Sequence, residues 1–140
     1  MIRGVITDEG YFVEAEVSAS PGGRSAPVTF LVDSGAGATA IHPSDIPKLG
    51  IPATILHEAE RLRVHGIGGS STYLLVPGAL TFQDDAAATP LRYSTTLYVA
   101  DPTEDNADIP SLLGRDILNY WQTWQIDVGC GVIGFIAASP

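Results

Sequence analysis

The chain has 140 residues, which suits one core and a single domain over 1–140. Hydrophobic residues make up 45% and charged residues 16%, which excludes a disordered chain. Seven basic against sixteen acidic side chains give a net charge of −9, which argues against a nucleic-acid or anionic-membrane surface. Fifteen glycines and ten prolines interrupt the chain often enough to favour many short strands over long helices. Cys130 is the only cysteine, so an internal disulfide and a cysteine metal cluster are both excluded. No run reaches the roughly 20 apolar residues of a membrane helix, and Met1 to Val17 lacks an apolar signal core. The expectation is a cytoplasmic protein, although the same sequence suits a soluble domain cut from a longer, anchored one.

In chain order, Ile2, Val5 and Ile6 start a hairpin that turns at Asp8-Glu9-Gly10. Tyr11, Val13, Ala15 and Val17 then alternate with Phe12, Glu14, Glu16 and Ser18, the period of two of a strand. Ser20-Pro21-Gly22-Gly23 reads as a loop, Val28 to Val32 as a buried central strand, and Ala38 to Ile41 as a short strand. Pro43 to Leu49 suits one helical turn ended by Gly50. Arg61 to His65 and Thr72 to Val76 are strands around the glycine-rich tip Gly66-Ile67-Gly68-Gly69-Ser70. Pro77-Gly78 predicts a turn into a further strand, Ala79 to Gln83, and Asp84-Asp85 an exposed turn. Leu91 to Ala100 is strongly β-prone, and Asp101 to Asp108 reads as a solvated acidic loop. Ile109 to Trp121 predicts a short apolar strand, a glycine corner and a helix of about two turns. Gln125 to Val128 and Val132 to Ala137 close the chain as strands around Gly129-Cys130-Gly131.

Within this frame Asp33 stands out. Phe30, Leu31 and Val32 carry its carboxylate to the end of an apolar strand, and Ser34, Gly35, Ala36 and Gly37 leave room for other backbone to approach. Asp-Ser-Gly is also ordinary turn chemistry. A carboxylate in such a place is either functional or well hydrogen-bonded, because an unpaired buried charge is costly.

Three features occur in a fixed order: the strand ending in Asp33-Ser34-Gly35-Ala36, the glycine-tipped hairpin at 66–69, and Leu112-Leu113-Gly114-Arg115-Asp116-Ile117-Leu118. Together they resemble the retropepsin-like aspartic proteases, the single-domain family of retroviral proteases and bacterial relatives. The resemblance runs from about Val28 to Tyr120. It implies an all-β, closed retropepsin-like barrel with one short C-terminal helix. It also implies a peptide hydrolase in which two carboxylates share one proton and activate a water. The chain has a single Asp-Ser-Gly, so the resemblance implies a homodimer with one Asp33 from each subunit.

By the same resemblance Asp33, Ser34 and Gly35 form the catalytic set: the Ser34 hydroxyl bonds across the dimer and the Gly35 carbonyl receives substrate amides. Ala36 and a mobile flap of Gly66, Ile67, Gly68 and Gly69 contact an extended peptide. Gly114 lets the helix pack under the active-site turn. Arg115 and Asp116 follow it as structural residues. Gly37 stands where retroviral enzymes carry an aspartate for this arginine. Arg115 therefore needs another partner: a carbonyl, Asp116, or an acid of the other subunit. The chemistry calls for no cofactor and no metal, and the spacing of His42, His57 and His65 suits loop residues. Trp121 and Trp124, at helical spacing, suit core or dimer packing. The alternatives are a catalytically silent dimerisation or peptide-binding module on the same fold, and a small-molecule β-barrel.

Overall fold

Short apolar runs between glycines and prolines become strands, and the first three bury alternate residues over much of their length. The computed structural model describes residues 1–19, 22–66 and 69–137. Its strands are β1 (Ile2–Thr7), β2 (Gly10–Ala19), β3 (Ser25–Val32), β4 (Ala40–Ile41), β5 (Glu60–Gly66), β6 (Gly69–Phe82), β7 (Leu91–Ala100), β8 (Leu112–Leu113), β9 (Trp121–Asp127) and β10 (Val132–Ala137). Two short helices, α1 (Ala53–Glu58) and α2 (Arg115–Leu118), and a 3₁₀ turn at Ile46–Leu49 complete the order. All ten strands join one sheet in the order β5-β6-β7-β4-β8-β3-β2-β1-β10-β9. A further β6–β2 pairing closes the strands between them into a ring, so the chain is mainly β.

The ring encloses the core. Val13, Ala15 and Val17 point inward from β2, while Glu14 and Glu16 face solvent. Val28 and Phe30 do the same from β3, Leu97 and Val99 from β7, and Phe82, Leu113, Ile117 and Phe135 fill the centre. Burying one such aliphatic or aromatic side chain is worth roughly 1.5–3 kcal/mol, which is why the period of two holds the register.

Several expectations are corrected. No turn forms at Pro77-Gly78: β6 runs through both residues as a 14-residue strand. Along one edge β6 pairs with β5 up to Leu75 and with β2 from Gly78 onward, so Pro77 sits where the partner changes and no amide donor is needed. Gly78 permits the crossing, because a Cβ there would lie 2.8 Å from the Ser18 carbonyl oxygen. The C-terminal helix is one turn rather than two, and Trp121 already opens β9. Thr123 pairs with Ile136 but Trp121 with Ala137, so Gln122 is bulged out. That bulge turns both tryptophans onto Phe135, with ring centroids at 4.5 Å for Trp121 and 5.6 Å for Trp124. Helix α1 was not expected; it is six residues long and buries none of them. Among the described residues no helix is long and apolar enough to cross a membrane.

Candidate active site

Asp33 follows β3 directly, and its half-buried carboxylate stands on a fixed backbone. Its amide donates to the Leu113 carbonyl at 3.0 Å, which extends the parallel pairing of β3 with β8. Its own carbonyl accepts the Ala36 amide at 3.1 Å and closes the turn. Its Oδ1 accepts the Gly35 amide at 2.9 Å, and a Cβ on residue 35 would stand 3.2 Å from that oxygen. Glycine at 35 therefore keeps the carboxylate uncrowded.

Gly114, Arg115 and Asp116 lie under this turn. A Cβ on Gly114 would lie 2.5 Å from the Ala38 carbonyl carbon and oxygen, so only glycine fits. Arg115 holds the turn twice: its amide donates to the Ala36 carbonyl and its Nη1 to the Ser34 carbonyl, both at 2.8 Å. Of the three partners expected for Arg115, the structure has the carbonyl. Asp116 points elsewhere and accepts the hydroxyls of Thr39 at 2.7 Å and Thr95 at 2.9 Å. The Thr39 Oγ1, fully buried, also accepts the Gly114 amide at 3.2 Å. One threonine hydroxyl thus ties Asp116 to the amide of Gly114 by donating to one and accepting from the other.

The β5–β6 hairpin carries the remaining expected site residues. Gly66 pairs with Gly69 at its end, and Gly69 has φ +123°, a conformation open to glycine. Ile67 and Gly68 lie outside the described residues. A cleft of about 570 Å³ opens between this hairpin and the 101–109 segment, with Val64, Tyr73, Ile109, Leu112 and His42 on its walls. Asp33 itself does not line it, but Leu112 neighbours the Leu113 that holds Asp33. The 101–108 segment is largely solvated as expected, except that Asn106 is buried and ties the Thr103 amide to the Asp101 carbonyl.

His42 is a loop residue as expected, just after β4, but a buried one at 2% exposure; His57 and His65 are not in loops, the first lying on α1 and the second on β5. The His42 Nδ1 meets the Pro110 carbonyl at 2.7 Å and its Nε2 the Tyr73 hydroxyl at 3.0 Å. Burial lowers its pKa, against the opposing pull of the Pro110 carbonyl and of Asp45. Burial likewise raises the pKa of Tyr73.

The sequence profile of the aspartyl protease family matches residues 14–117, from β2 through α2 and across both halves of the Asp33 site. The chain belongs to the aspartyl protease family. Among solved structures, a retropepsin-like aspartic protease from Rickettsia conorii superposes with a TM-score of 0.61 at 21% identity, over 98% of this chain and 91% of that one. The EIAV protease complexed with the inhibitor HBY-793 aligns with a TM-score of 0.49 at 19% identity, over 77% and 84%. None of the curated proteins matches the sequence. The fold of this aspartyl protease chain is therefore retropepsin-like.

Sequence reasoning missed Thr39, Thr95, His42, Tyr73 and Ser111 as members of the site's support. Thr39 had a faint signal: a hydroxyl residue at an inward position of a short apolar strand requires a polar partner. The others are separated from their partners by 21 to 69 residues, and nothing local marks them.

Proposed function

We propose that the chain is an aspartic endopeptidase acting as a homodimer, in which the two Asp33 carboxylates, one per subunit, activate the water that hydrolyses a peptide bond. The observation that carries this reading is Asp33 itself, a half-buried carboxylate on a turn held by Leu113, Gly35 and Arg115 and belonging to the chain's only Asp-Ser-Gly. One carboxylate cannot serve as both base and acid. Two at about 3 Å share a proton, because both cannot ionise cheaply, and they titrate as one coupled pair. The unprotonated oxygen takes a proton from water as it attacks the scissile carbonyl, and the shared proton passes to the reacting peptide. Ser34 would brace the partner's turn through its hydroxyl and Gly35 would receive substrate amides on its carbonyl.

An open sheet edge supports the dimeric part of this reading. Strand β9 ends the sheet with β10 as its one neighbour among the described residues, and Trp124, Ile126 and Val128 on it and just beyond are 39%, 48% and 77% exposed. An unpaired, apolar edge strand invites pairing with another strand. The β5–β6 hairpin would act as the flap, with Gly66, Ile67, Gly68, Gly69 and Ala36 against an extended protein or peptide substrate. We read residues 1–140 as one domain working in the cytoplasm, where the exposed thiol of Cys130 stays reduced.

The test is proteolysis of unfolded protein substrates by wild type and Asp33→Asn over a concentration series, with sedimentation of both. The expected result is activity that rises faster than linearly with concentration and falls at least a thousandfold in Asp33→Asn, as when a reacting group is removed. Undiminished cleavage by that variant overturns the reading. A dimer that binds peptides but never cuts them replaces it with the silent module.

A further inference from the structure

We infer that His42 is a positioning residue that hangs the stem of the β5–β6 hairpin, through Tyr73, from the segment that holds the Asp33 strand. The role in catalysis rests on the protease reading; the hydrogen-bonded strut itself does not.

The chemistry of the partners fixes the direction of every bond. The Pro110 carbonyl can only accept, so the Nδ1 at 2.7 Å carries a hydrogen. In the neutral ring this leaves Nε2 as an acceptor, and the Tyr73 hydroxyl at 3.0 Å donates to it. The His42 amide donates to the Ser111 Oγ at 3.0 Å, whose own hydrogen goes to Asp45 Oδ2 at 2.7 Å. Lys48 neutralises the other oxygen of Asp45, again at 2.7 Å. One histidine therefore grips two consecutive residues, Pro110 and Ser111, and no buried polar side-chain atom among the described residues is left without a partner.

Those two residues lead straight into β8, the strand that pairs with the Asp33 strand. The Ser111 carbonyl accepts the Leu31 amide at 2.9 Å, and two residues later the Leu113 carbonyl accepts the Asp33 amide. At the other end Tyr73 pairs with Leu62 in the hairpin stem. Outboard of that pair the hairpin is open: Leu62 and Val64 are each 38% exposed, and residues 69–71 are exposed. Among the described residues, two side-chain hydrogen bonds join residues 60–73 to the rest of the fold: Tyr73 to His42, and the exposed Arg61–Asp101 pair at 3.2 Å. An exposed ion pair fixes little. The backbone ladder to β7 already holds one edge of the stem, with Tyr73 opposite Ala100 and the Asp101 amide on the Thr72 carbonyl at 3.0 Å. The part-buried strut adds the side-chain tie on the side that forms the cleft wall.

The ionisable groups around the ring are Tyr73 from β6, Tyr98 from β7 beyond it, Asp45 and Lys48 from the 43–48 segment, and Asp101 and Asp105 across the cleft. Protonation would place a second donor at Nε2, where the tyrosine hydrogen already points. The folded protein holds the ring neutral below the ordinary histidine value of about 6.5, whereas the unfolded chain does not. The folded state then binds fewer protons than the unfolded one. The strut costs no stability above about pH 6.5, and stability falls as pH drops from there through the folded-state value.

Three measurements decide it. In nitrogen–proton correlation spectra of the histidine-labelled protein, His42 is expected as the Nδ1–H tautomer, titrating below the ordinary value. Amide exchange of residues 69–74 is expected to quicken about fivefold in Tyr73→Phe, the worth of one net hydrogen bond, while β2 and β3 exchange as before. In the protease assay Tyr73→Phe raises KM about fivefold with kcat within twofold, and His42→Gln, which can offer an acceptor near Nε2, is milder than His42→Asn. An Nε2–H tautomer, or unaltered exchange at 69–74 in Tyr73→Phe, overturns the strut. Unaltered KM alongside quickened exchange overturns its role in catalysis. The spectra and the exchange need no activity, so failure of the protease reading in Asp33→Asn is recognised separately.

Discussion

The turn that carries Asp33 and the hairpin that carries Gly69 both depend on glycine, and for opposite reasons. Gly114 stands where backbone meets backbone: Ala38 fills the space a side chain would need, and Thr39, Ala36 and Ser34 add hydrogen bonds to the same few ångströms. Gly69 stands in open space, with nothing within 4 Å of where a methyl would lie, and is required by a φ of +123° alone. The first glycine makes a region that cannot yield. The second leaves one in which only the backbone conformation restricts the residue. The His42–Tyr73 bond lies between the two regions.

Breaking this contrast starts with Gly114→Ala. The methyl meets main-chain atoms at 2.5 Å rather than the far end of a flexible side chain, so the turn or α2 must move. Overpacking typically costs 1–3 kcal/mol, and here the Gly114 amide and the Asp116–Thr39 bond move with it, so about 3 kcal/mol is expected. The urea midpoint should fall correspondingly with an unchanged m-value, and the proposed peptide cleavage should fall with it. A midpoint within about 1 kcal/mol of wild type would mean that the layer under Asp33 is softer than its packing indicates.

Much of the first region was legible because its signals are local. The alternation of Val13, Ala15 and Val17 with glutamates gave β2, and the apolar run ending in Asp33 gave β3 and the turn. Gly114-Arg115-Asp116 was readable as a unit, and a carbonyl stood among the three partners left open for Arg115, but which carbonyl was not readable because it carries no side-chain signature. What stayed hidden depends on partners far along the chain. Pro77 looks like a turn unless one knows that β6 changes neighbour there. Trp121 and Trp124 look helical unless one knows that Gln122 is bulged. The Thr39–Asp116 bond joins residues 77 positions apart, and the Tyr73–His42 bond 31. Helix α1 buries no side chain, so it leaves no periodic apolar trace.

Gly69→Ala sharpens the contrast from the other side. A non-glycine residue in this conformation carries about 1–2 kcal/mol of strain, but the hairpin end can relax into solvent without disturbing the core. Global stability should therefore drop by less than about 1 kcal/mol, with the change confined to amide exchange of β5 and the first residues of β6. A loss as large as that of Gly114→Ala would show that the hairpin belongs to the cooperative core.

The smallest effect tests why Arg115 manages without an acid. A Cβ on residue 37 would stand 3.5 Å from Arg115 Nη2, an ordinary contact, and Gly37 does not adopt a positive φ. Gly37→Asp thus meets no steric obstacle and places a carboxylate beside a guanidinium whose Nη1 is already engaged by the Ser34 carbonyl. Both positions are exposed, so the new ion pair should add no more than about 0.5 kcal/mol at low salt and lose it in 1 M salt. Thermal unfolding at the two salt concentrations reads this directly. If the variant is instead destabilised by more than about 1 kcal/mol at both, the acid has pulled Arg115 off the Ser34 carbonyl. The turn would then owe its rigidity to that one bond rather than to the packing of Gly114 beneath it.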